Sequence, residues 1–429
     1  MSIIFLFVLF FGFMIIRIPI AWSLVLSSLV YLLANGQPVV IIAQKMTASL
    51  ESFVFIALPL FILAGEIMNT GGLTEKLVNV CRAVVGRFKG GLAYVNVVAS
   101  ALAGTVQGMA TANVVSEGPI IIPAMSKQGY SVKFAAAVTL ASSTISAIIP
   151  PSVIMIIFGS VTGVSVGGLF IGGIIPGIIL TVFQMIYIFL LGHSPRGKED
   201  IPNGEKLPFK TCVRFIWQGV PALVLPLLIV VGVGFGIVTI TESAVLAVVY
   251  SLFLAIVTRE MKIQKVPQLF WNCCRSIGTV MIILCASSVF GYILTQERVP
   301  QAVVAALLKI TSNKYILRLI INLFLLFVGL FMDPTPAVLI LAPILTPVLM
   351  NFGMHPIHIG IMICFNLIQG QITPPVGGCL FLVASISKIS VEEVSKATLP
   401  FYVVNIAALL TITFIPDLVL VLPRLLGFV

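Results

Sequence analysis

The chain has 429 residues, 59% of them hydrophobic and only 9% charged. Soluble domains carry about 25% charged residues, so this composition excludes a soluble enzyme and leaves little room for any extramembrane domain. The formal net charge of +10 calls for no nucleic acid, because basic excess in a membrane protein collects in cytoplasmic loops. The seven cysteines show neither C-x-x-C nor zinc spacing, which argues against a disulfide framework.

Residues 2–15 form a first apolar run with no basic n-region and no cleavage site, which reads as a membrane segment rather than a removed signal peptide. Runs near the 20-residue length of a membrane span follow at 20–35, 52–70, 131–159, 166–192, 215–235, 240–258, 278–296, 356–386 and 398–416. Two further runs, 92–127 and 315–350, are each interrupted by a small-residue stretch, "GTVQGMATAN" (104–113) and "GLFMDPTPA" (329–337). Each of these predicts two half-helices joined at a tip. The one long polar linker, 193–210, divides the chain. The expected units are a first repeat over 1–192, a cytoplasmic linker over 193–214 and a second repeat over 215–429.

The two halves repeat without a gap. Pro119 and Pro343 stand 224 apart (343 − 119), and the same offset pairs Thr111 with Thr335, Pro123 with Pro347, Gly129 with Gly353 and Pro176 with Pro400. It also pairs Pro150-Pro151 with Pro374-Pro375. Gly- and Pro-interrupted apolar segments at corresponding positions of two halves point to a transporter binding site. Placing the basic loops 81–91, 127–133, 193–210 and 259–265 in the cytoplasm makes the repeat inverted: the first hairpin enters from inside, the second from outside. The basic residues Arg298, Lys309, Lys314 and Arg318 then fall outside, and 298–313 reads as an amphipathic helix on the outer surface.

Each double proline must break its helix, because proline lacks the backbone donor and clashes with the carbonyl one turn back. Bare peptide groups in hydrocarbon cost several kcal/mol each, so such a break must find partners. Hydroxyls of Ser142, Ser143, Thr144 and Ser146 precede the first break. Asn366, Gln369, Gly370 and Thr373 sit at the second. Freed carbonyls and hydroxyls at these places suit a sodium ion, and a half-helix N-terminus suits an anion. The alternative is a proline kink capped by neighbouring helices. Asp333 lies in the second tip, where a carboxylate is a cation ligand, a cap on the following helix, or both. Glu117 either couples a substrate or proton or pairs with a polar neighbour, and Glu66 and Glu242 read as capping or pairing groups near segment ends. His355-x-x-His358 lacks the H-E-x-x-H pattern, and no phosphate loop or G-x-S-x-G is present. The chain reads as no enzyme.

Five stretches in their order resemble one family: "LPLFILAGEIMNTGGL" (58–73), "AIIPPSVIMIIFG" (147–159), "MDPTPAVLILAPILTPV" (332–348), "GQITPPVGG" (370–378) and "TFIPDLVLVLP" (413–423). They are similar to the large, DctM-like permease subunit of TRAP transporters (tripartite ATP-independent periplasmic transporters) across essentially the whole chain. The resemblance implies an all-α polytopic protein of the bacterial inner membrane with an inverted repeat, two re-entrant hairpins and two broken helices. It implies sodium-driven import of an organic acid, such as a C4-dicarboxylate, a sugar acid or a sialic acid, by an elevator mechanism. Its partners would be a small four-helix membrane subunit, a periplasmic substrate-binding protein and membrane lipid.

Carried over, the first sodium site would use Gly108, Thr111, Asn113, Ser142 and Ser143, and the second Asp333, Thr335, Gly370 and Thr373, for two or more sodium ions in all. The substrate would lie between the breaks, with Gln107, Thr144, Ser146, Asn366 and Gln369 as candidates. This chain departs from the family at the first tip, "GMATAN" (108–113), where Met109 and Ala110 stand for two hydroxyl residues and Asn113 for an acid. The rival readings are a stand-alone sodium/divalent-anion symporter and a membrane assembly subunit with no transport pathway.

Overall fold

The computed structural model describes residues 3–51, 53–194, 201–205, 207–258, 261, 264, 266–311, 313–374 and 377–429. Among them there is no strand. Six helices are long and apolar enough to cross a membrane, and two bent pairs raise that to eight. Pro375 of the second double proline, residues 195–200 of the linker, and all of the 259–265 loop except Met261 and Gln264 lie outside the described residues.

The first repeat opens with α1 (Ile3–Ile15), α2 (Ile20–Ala34), α3 (Val40–Leu50) and α4 (Phe53–Thr70). At Gly71-Gly72 the chain turns by 70° into α5 (Leu73–Val85). Gly72 takes the left-handed conformation that the turn requires. Leu73, Leu77, Val78, Val80 and Cys81 bury one stripe of α5, the mark of a helix lying on a packed surface. The first hairpin is α6 (Gly91–Gln107) and α7 (Ala110–Lys127). The broken helix is α8 (Val132–Ile148) and α9 (Val153–Thr162), bent by 41°, and α10 (Val166–His193) closes the unit.

After the linker come α11 (Phe209–Gly234) and α12 (Ile240–Val257). Then the order repeats. The long α13 (Val266–Gln296) and α14 (Val299–Ile310) answer α4 and α5; α15 (Lys314–Gly329) and α16 (Pro334–Asn351) answer the first hairpin. The second broken helix is α17 (Pro356–Gly370) and α18 (Gly378–Ser387), followed by α19 (Val391–Phe414). The 224-residue offset read from the prolines maps α7 onto α16 end for end. A final short helix, α20 (Asp417–Leu425), has no counterpart among the described residues, and neither it nor α3 and α5 stood out as apolar runs.

Four candidate spans and the bent α8–α9 pair separate the hairpins. An odd number of crossings puts the two hairpin mouths on opposite faces. Tertiary contacts agree. Lys133 pairs with Glu393 at 2.9 Å and Arg82 with Glu205 at 2.8 Å, joining segments assigned to one face. His358 Nε2 meets the Ile412 carbonyl at 2.9 Å, joining segments assigned to the other.

The repeats interlock through crossed pairs: α12 packs on α4, and α2 on α13. One large core takes α8, α9 and α17 from both repeats, and a smaller one joins Leu6, Phe10, Tyr31 and Leu32 to Phe290 and Ile293. The linker is less free than its composition suggests. Pro202 accepts from Gly90 N at 3.0 Å, Glu205 N donates to Gly86 at 3.0 Å, and Ile201 is buried. Helix α11 already begins at Phe209, inside the expected linker.

Candidate functional site

Both breaks lie on the C-terminal side of the polar residues that precede them. Proline removes its own N–H and disfavours the helical conformation at the residue before it, so each helix ends shortly before its double proline, α8 at Ile148 and α17 at Gly370. Ser142, Ser143, Thr144 and Ser146 are therefore helical and fully buried. Their hydroxyl protons are engaged. Ser143 donates to Leu140 O, Thr144 to Ala141 O and Ser146 to Ser143 O, each at 2.7 Å. Likewise Asn366 and Gln369 lie inside α17, and Thr373 donates to Gln369 O at 2.7 Å. As donors these hydroxyls are spent on their own helices, while their oxygens keep lone pairs.

The unwound stretch 149–152, which holds a cis Pro150–Pro151 bond, is bracketed by one bond to the facing tip and one to its own helix. Val153 N donates to Gly108 O at 3.2 Å, and Ser152 Oγ donates to Ala147 O at 2.5 Å. Gly108 closes α6 in the left-handed region, φ 60°. A Cβ there would stand 2.4 Å from Pro151 O, and one on Gly104 would stand 2.6 Å from Ser146 Cα. The tip can reach the break only because these residues have no side chain.

The second tip uses a different device. Asp333 caps α16, accepting from Thr335 N at 3.1 Å, and Pro334 occupies the first turn. Its other oxygen accepts from Gln371 Nε2 at 3.3 Å across the break. Gly370 approaches Gly329 so closely that a Cβ would lie 2.4 Å from its backbone. A small cavity of about 140 Å³ forms there, walled by 329–333, Gly370, Gln371, Gly377 and Gly378.

Between the two tips lies a pocket of about 170 Å³. Gly108–Thr111 and Asp333–Thr335 wall it from the tips, Val153, Ile154, Ile368 and Gln371 from the breaks, and Val280 from α13. Two half-helix N-termini, of α7 and α16, border it. No lysine or arginine lines it. The pocket is smaller than the roughly 300–1,000 Å³ typical of drug-sized ligands, which suits a small solute.

Of the expected cation residues, Gly108, Thr111, Asp333 and Thr335 line this pocket, and Gly370 and Asp333 the smaller cavity. Asn113 and Ser142 lie deeper, in a cluster around Ser100. The Ser100 hydroxyl stands 3.0 Å from Glu117 Oε2 and from Ser142 Oγ, and 3.2 Å from Asn113 Oδ1. Ser142 donates on to Asn96 Oδ1 at 3.2 Å, and Asn96 to Thr139 at 2.7 Å. Glu117 Oε2 is thus paired with a polar neighbour, while its buried Oε1 has no hydrogen-bond partner.

None of Thr144, Ser146, Asn366 and Gln369 lines the central pocket. Gln369 Oε1 accepts from Asn405 Nδ2 at 2.9 Å, and Asn405 Oδ1 from Gln184 Nε2 at 2.9 Å. Thr144 lies 3.4 Å from Asn405, Ser146 lies 3.3 Å from Met109 O, and Asn366 donates to Asn322 Oδ1 at 2.8 Å. These residues bind helices to one another. Gln107 donates to Ser116 at 2.7 Å and borders, with Glu66 and Asn69, an adjoining cavity that shares Met109 and Thr111 with the central pocket.

Sequence reasoning missed Gln371, whose nearness to Asp333 no spacing reveals. The amide pair Gln184–Asn405 was findable, since each is a polar residue in a lipid-like helix. His355 caps α17, with Ile357 N at 3.3 Å, and among the described residues no group of His, Cys, Asp or Glu is arranged to hold a metal. Glu242 forms a capping box with Thr239.

Comparison with known proteins adds four findings. Residues 7–418 match the model of a family described as "Tripartite ATP-independent periplasmic transporter, DctM component". YgiK of Salmonella typhimurium is 37% identical over 414 residues, 96% of this chain and 94% of the relative. The C4-dicarboxylate TRAP transporter large permease protein DctM of Vibrio cholerae is 34% identical over 449 aligned residues, 99% of this chain and 98% of the relative. Among solved structures, the Alcanivorax borkumensis YdaH transporter matches 88% of this chain and 87% of its own with a TM-score of 0.62. At 14% identity that likeness is one of fold alone.

Proposed function

This chain belongs to the DctM family of tripartite ATP-independent periplasmic transporters, and we propose that it imports an organic acid together with sodium. It is a multi-pass transporter permease of the bacterial inner membrane and not an enzyme. The acid is a C4-dicarboxylate, a sugar acid or a sialic-acid-like carboxylate, handed over by a periplasmic binding protein. A small four-helix membrane subunit completes the assembly.

The observation that carries this reading is the pocket between the two tips, built from both hairpins and both breaks without any cationic side chain. A carboxylate entering it meets the N-termini of α7 and α16, which carry about half a positive charge each. It also meets Asp333, which repels it. A sodium ion held by Asp333 and the nearby backbone of Gly329 and Gly370 would turn that repulsion into attraction. Coupling then follows from charge: the anion binds well only when the cation is present, and by linkage the cation binds better with the anion. The interlocked α4–α12 and α2–α13 pairs supply the scaffold, and the hairpins with the broken helices supply the body that slides past it as an elevator.

Reconstitution tests the reading. Liposomes carrying this chain and its small subunit should accumulate a labelled acid only with an inward sodium gradient and the cognate binding protein. Uptake without the binding protein would make it a stand-alone symporter. No uptake in either condition would make it an assembly subunit.

A further inference from the structure

A second cavity, of about 430 Å³, lies between α3, α9, α13 and α16, and it holds a lysine. Lys45 is the one charged residue on its wall, among hydroxyls of Ser49, Ser160, Ser287, Ser288 and Thr295. Its ammonium sits 4.4 Å from the centre of the Tyr292 ring. That contact holds a cation against an aromatic face and leaves its other side open to an anion. Ser288 donates to Lys45 O at 2.9 Å, tying α3 to α13.

Three helices connect this cavity to the central pocket. Helix α9 offers Val153 and Ile154 to the pocket and Ser160 and Val161 to the cavity; α16 offers Pro334 and Thr335, then Leu339 and Pro343. On α13 one stripe, spaced by three or four residues, runs from Ser276 through Val280 to Leu284, Ser288, Tyr292 and Thr295. Such spacing is a single helix face. Val280 and Ser288 are separated by about 12 Å at 1.5 Å per residue. The third cavity on this stripe, beyond Ser276, carries the opposite charge, Glu66. With the basic loops inside, the Lys45 cavity faces out and the Glu66 cavity faces in.

We propose that the Lys45 cavity is an outer capture site that holds the carboxylate of the incoming solute before it reaches the central pocket. This rests on the import reading above and adds a second binding position to it. The solute's negative charge favours occupancy of the outer cavity over the inner one, while the sodium gradient sets the direction of net movement.

The test separates the cavity's charge preference from import. Ser49 is one turn from Lys45 on α3, so Ser49→Cys, in a chain with Cys212 and Cys274 replaced by Ser, reports the local field. The five other cysteines are buried. The probes are a sulfonatoethyl and a trimethylammonioethyl methanethiosulfonate, one anionic and one cationic, added outside proteoliposomes of phosphatidylcholine. The anionic reagent should react preferentially, and Lys45→Gln should lower the anion-to-cation rate ratio about fivefold, as expected for one unit charge a turn away in a wet cavity. Lys45→Arg should keep the ratio. An unchanged ratio in Lys45→Gln, or no reaction from outside, overturns the site. A preference that disappears when phosphatidylglycerol is added would assign the cavity to a lipid phosphate instead. For the acid that the wild-type chain imports, Lys45→Gln should raise the half-saturating concentration about fivefold with little change in maximal rate. Unaltered half-saturation with an altered labelling ratio would leave an anion cavity off the transport path and overturn its capture role. Absence of wild-type uptake would count against the import reading, while the labelling result stands by itself.

Discussion

The two hairpin tips occupy the same register and solve the same problem by different means. Thr111 and Thr335 match at the 224-residue offset, but Met109 stands where the second tip has Asp333, and Gly108 where it has Met332. The first tip holds its broken helix through backbone contact: Val153 N on Gly108 O, with Gly108 too close to Pro151 for any side chain. The second holds it through a carboxylate that caps one helix and accepts from Gln371 across the break. In the first repeat the acid is Glu117, two turns deeper and enclosed by Ser100 and Asn113; its counterpart is the apolar Leu341. An internal repeat thus preserves where the chain breaks without preserving where the charge sits. The steric cause of a break is local, whereas a charge needs only some partner within reach, so its position is free to drift.

The largest expected effect concerns whether the tips face opposite ways. Lys127 and Asn351 end matched helices and are both exposed. With Cys212 and Cys274 replaced, a membrane-impermeant thiol reagent on intact cells should label Asn351→Cys and spare Lys127→Cys. Inside-out vesicles should give the reverse. Labelling of both from one side would make the repeat parallel and remove the basis of the comparison.

Next comes the tip acid. Asp333→Asn keeps the shape and hydrogen-bonding capacity but loses the charge. Losing one charged contact, at about 1.5–3 kcal/mol, should reduce sodium-driven uptake about ten- to hundredfold, while size-exclusion behaviour stays normal. Wild-type sodium dependence in the variant would remove Asp333 from the cation site. Met109→Asp, which copies that acid into the first tip, should not rescue it, because no counterpart of Gln371 faces it: Ala147 stands at that offset.

Gly108→Ala probes the backbone device. The left-handed conformation costs a non-glycine residue about 1–2 kcal/mol, and the Pro151 contact must open further. Uptake should fall about tenfold, whereas Met332→Ala at the matched position should stay within about twofold of wild type. Equal effects at the two positions would mean the tips work alike after all.

The smallest effect is expected where the repeats are joined. Asn405 bridges Gln184 and Gln369, and its counterpart is Thr181, whose hydroxyl serves only its own helix. Asn405→Thr should lower thermal stability by about 1–3 kcal/mol through the amides it leaves unpaired. Uptake at low temperature should change by less than about twofold. A loss of uptake without loss of stability would move this amide ladder from the frame into the transport path.

Much of the fold was legible from residue order. The double prolines at 150–151 and 374–375, the interrupted runs at 104–113 and 329–337 and the single 224-residue offset located hairpins and broken helices within a few residues. Helices α3, α5 and α20 escaped notice because each is short or only half apolar, and length and hydropathy are the signals that such reading uses. At the site, Asp333 was legible both as a cap and as the one charge at a tip. The polar residues ahead of each break were visible, but their tasks were not.

The sequence by itself determined that this chain lives in lipid, that it is built twice, and where each half must bend, because composition, periodicity and proline act through neighbours along the chain. The tertiary structure alone decided which polar groups line the pocket and which face each other. Thr144, Ser146, Asn366 and Gln369 are as polar as Thr111, Thr335 and Gln371, yet the first four are buried against neighbouring helices and the last three line the pocket. In hydrocarbon an unpaired polar group costs several kcal/mol, so each takes whatever partner packing brings near. For Asn366, Gln369 and Asp333 that partner, Asn322, Asn405 and Gln371 in turn, lies tens of residues away in the chain, and no local pattern names it.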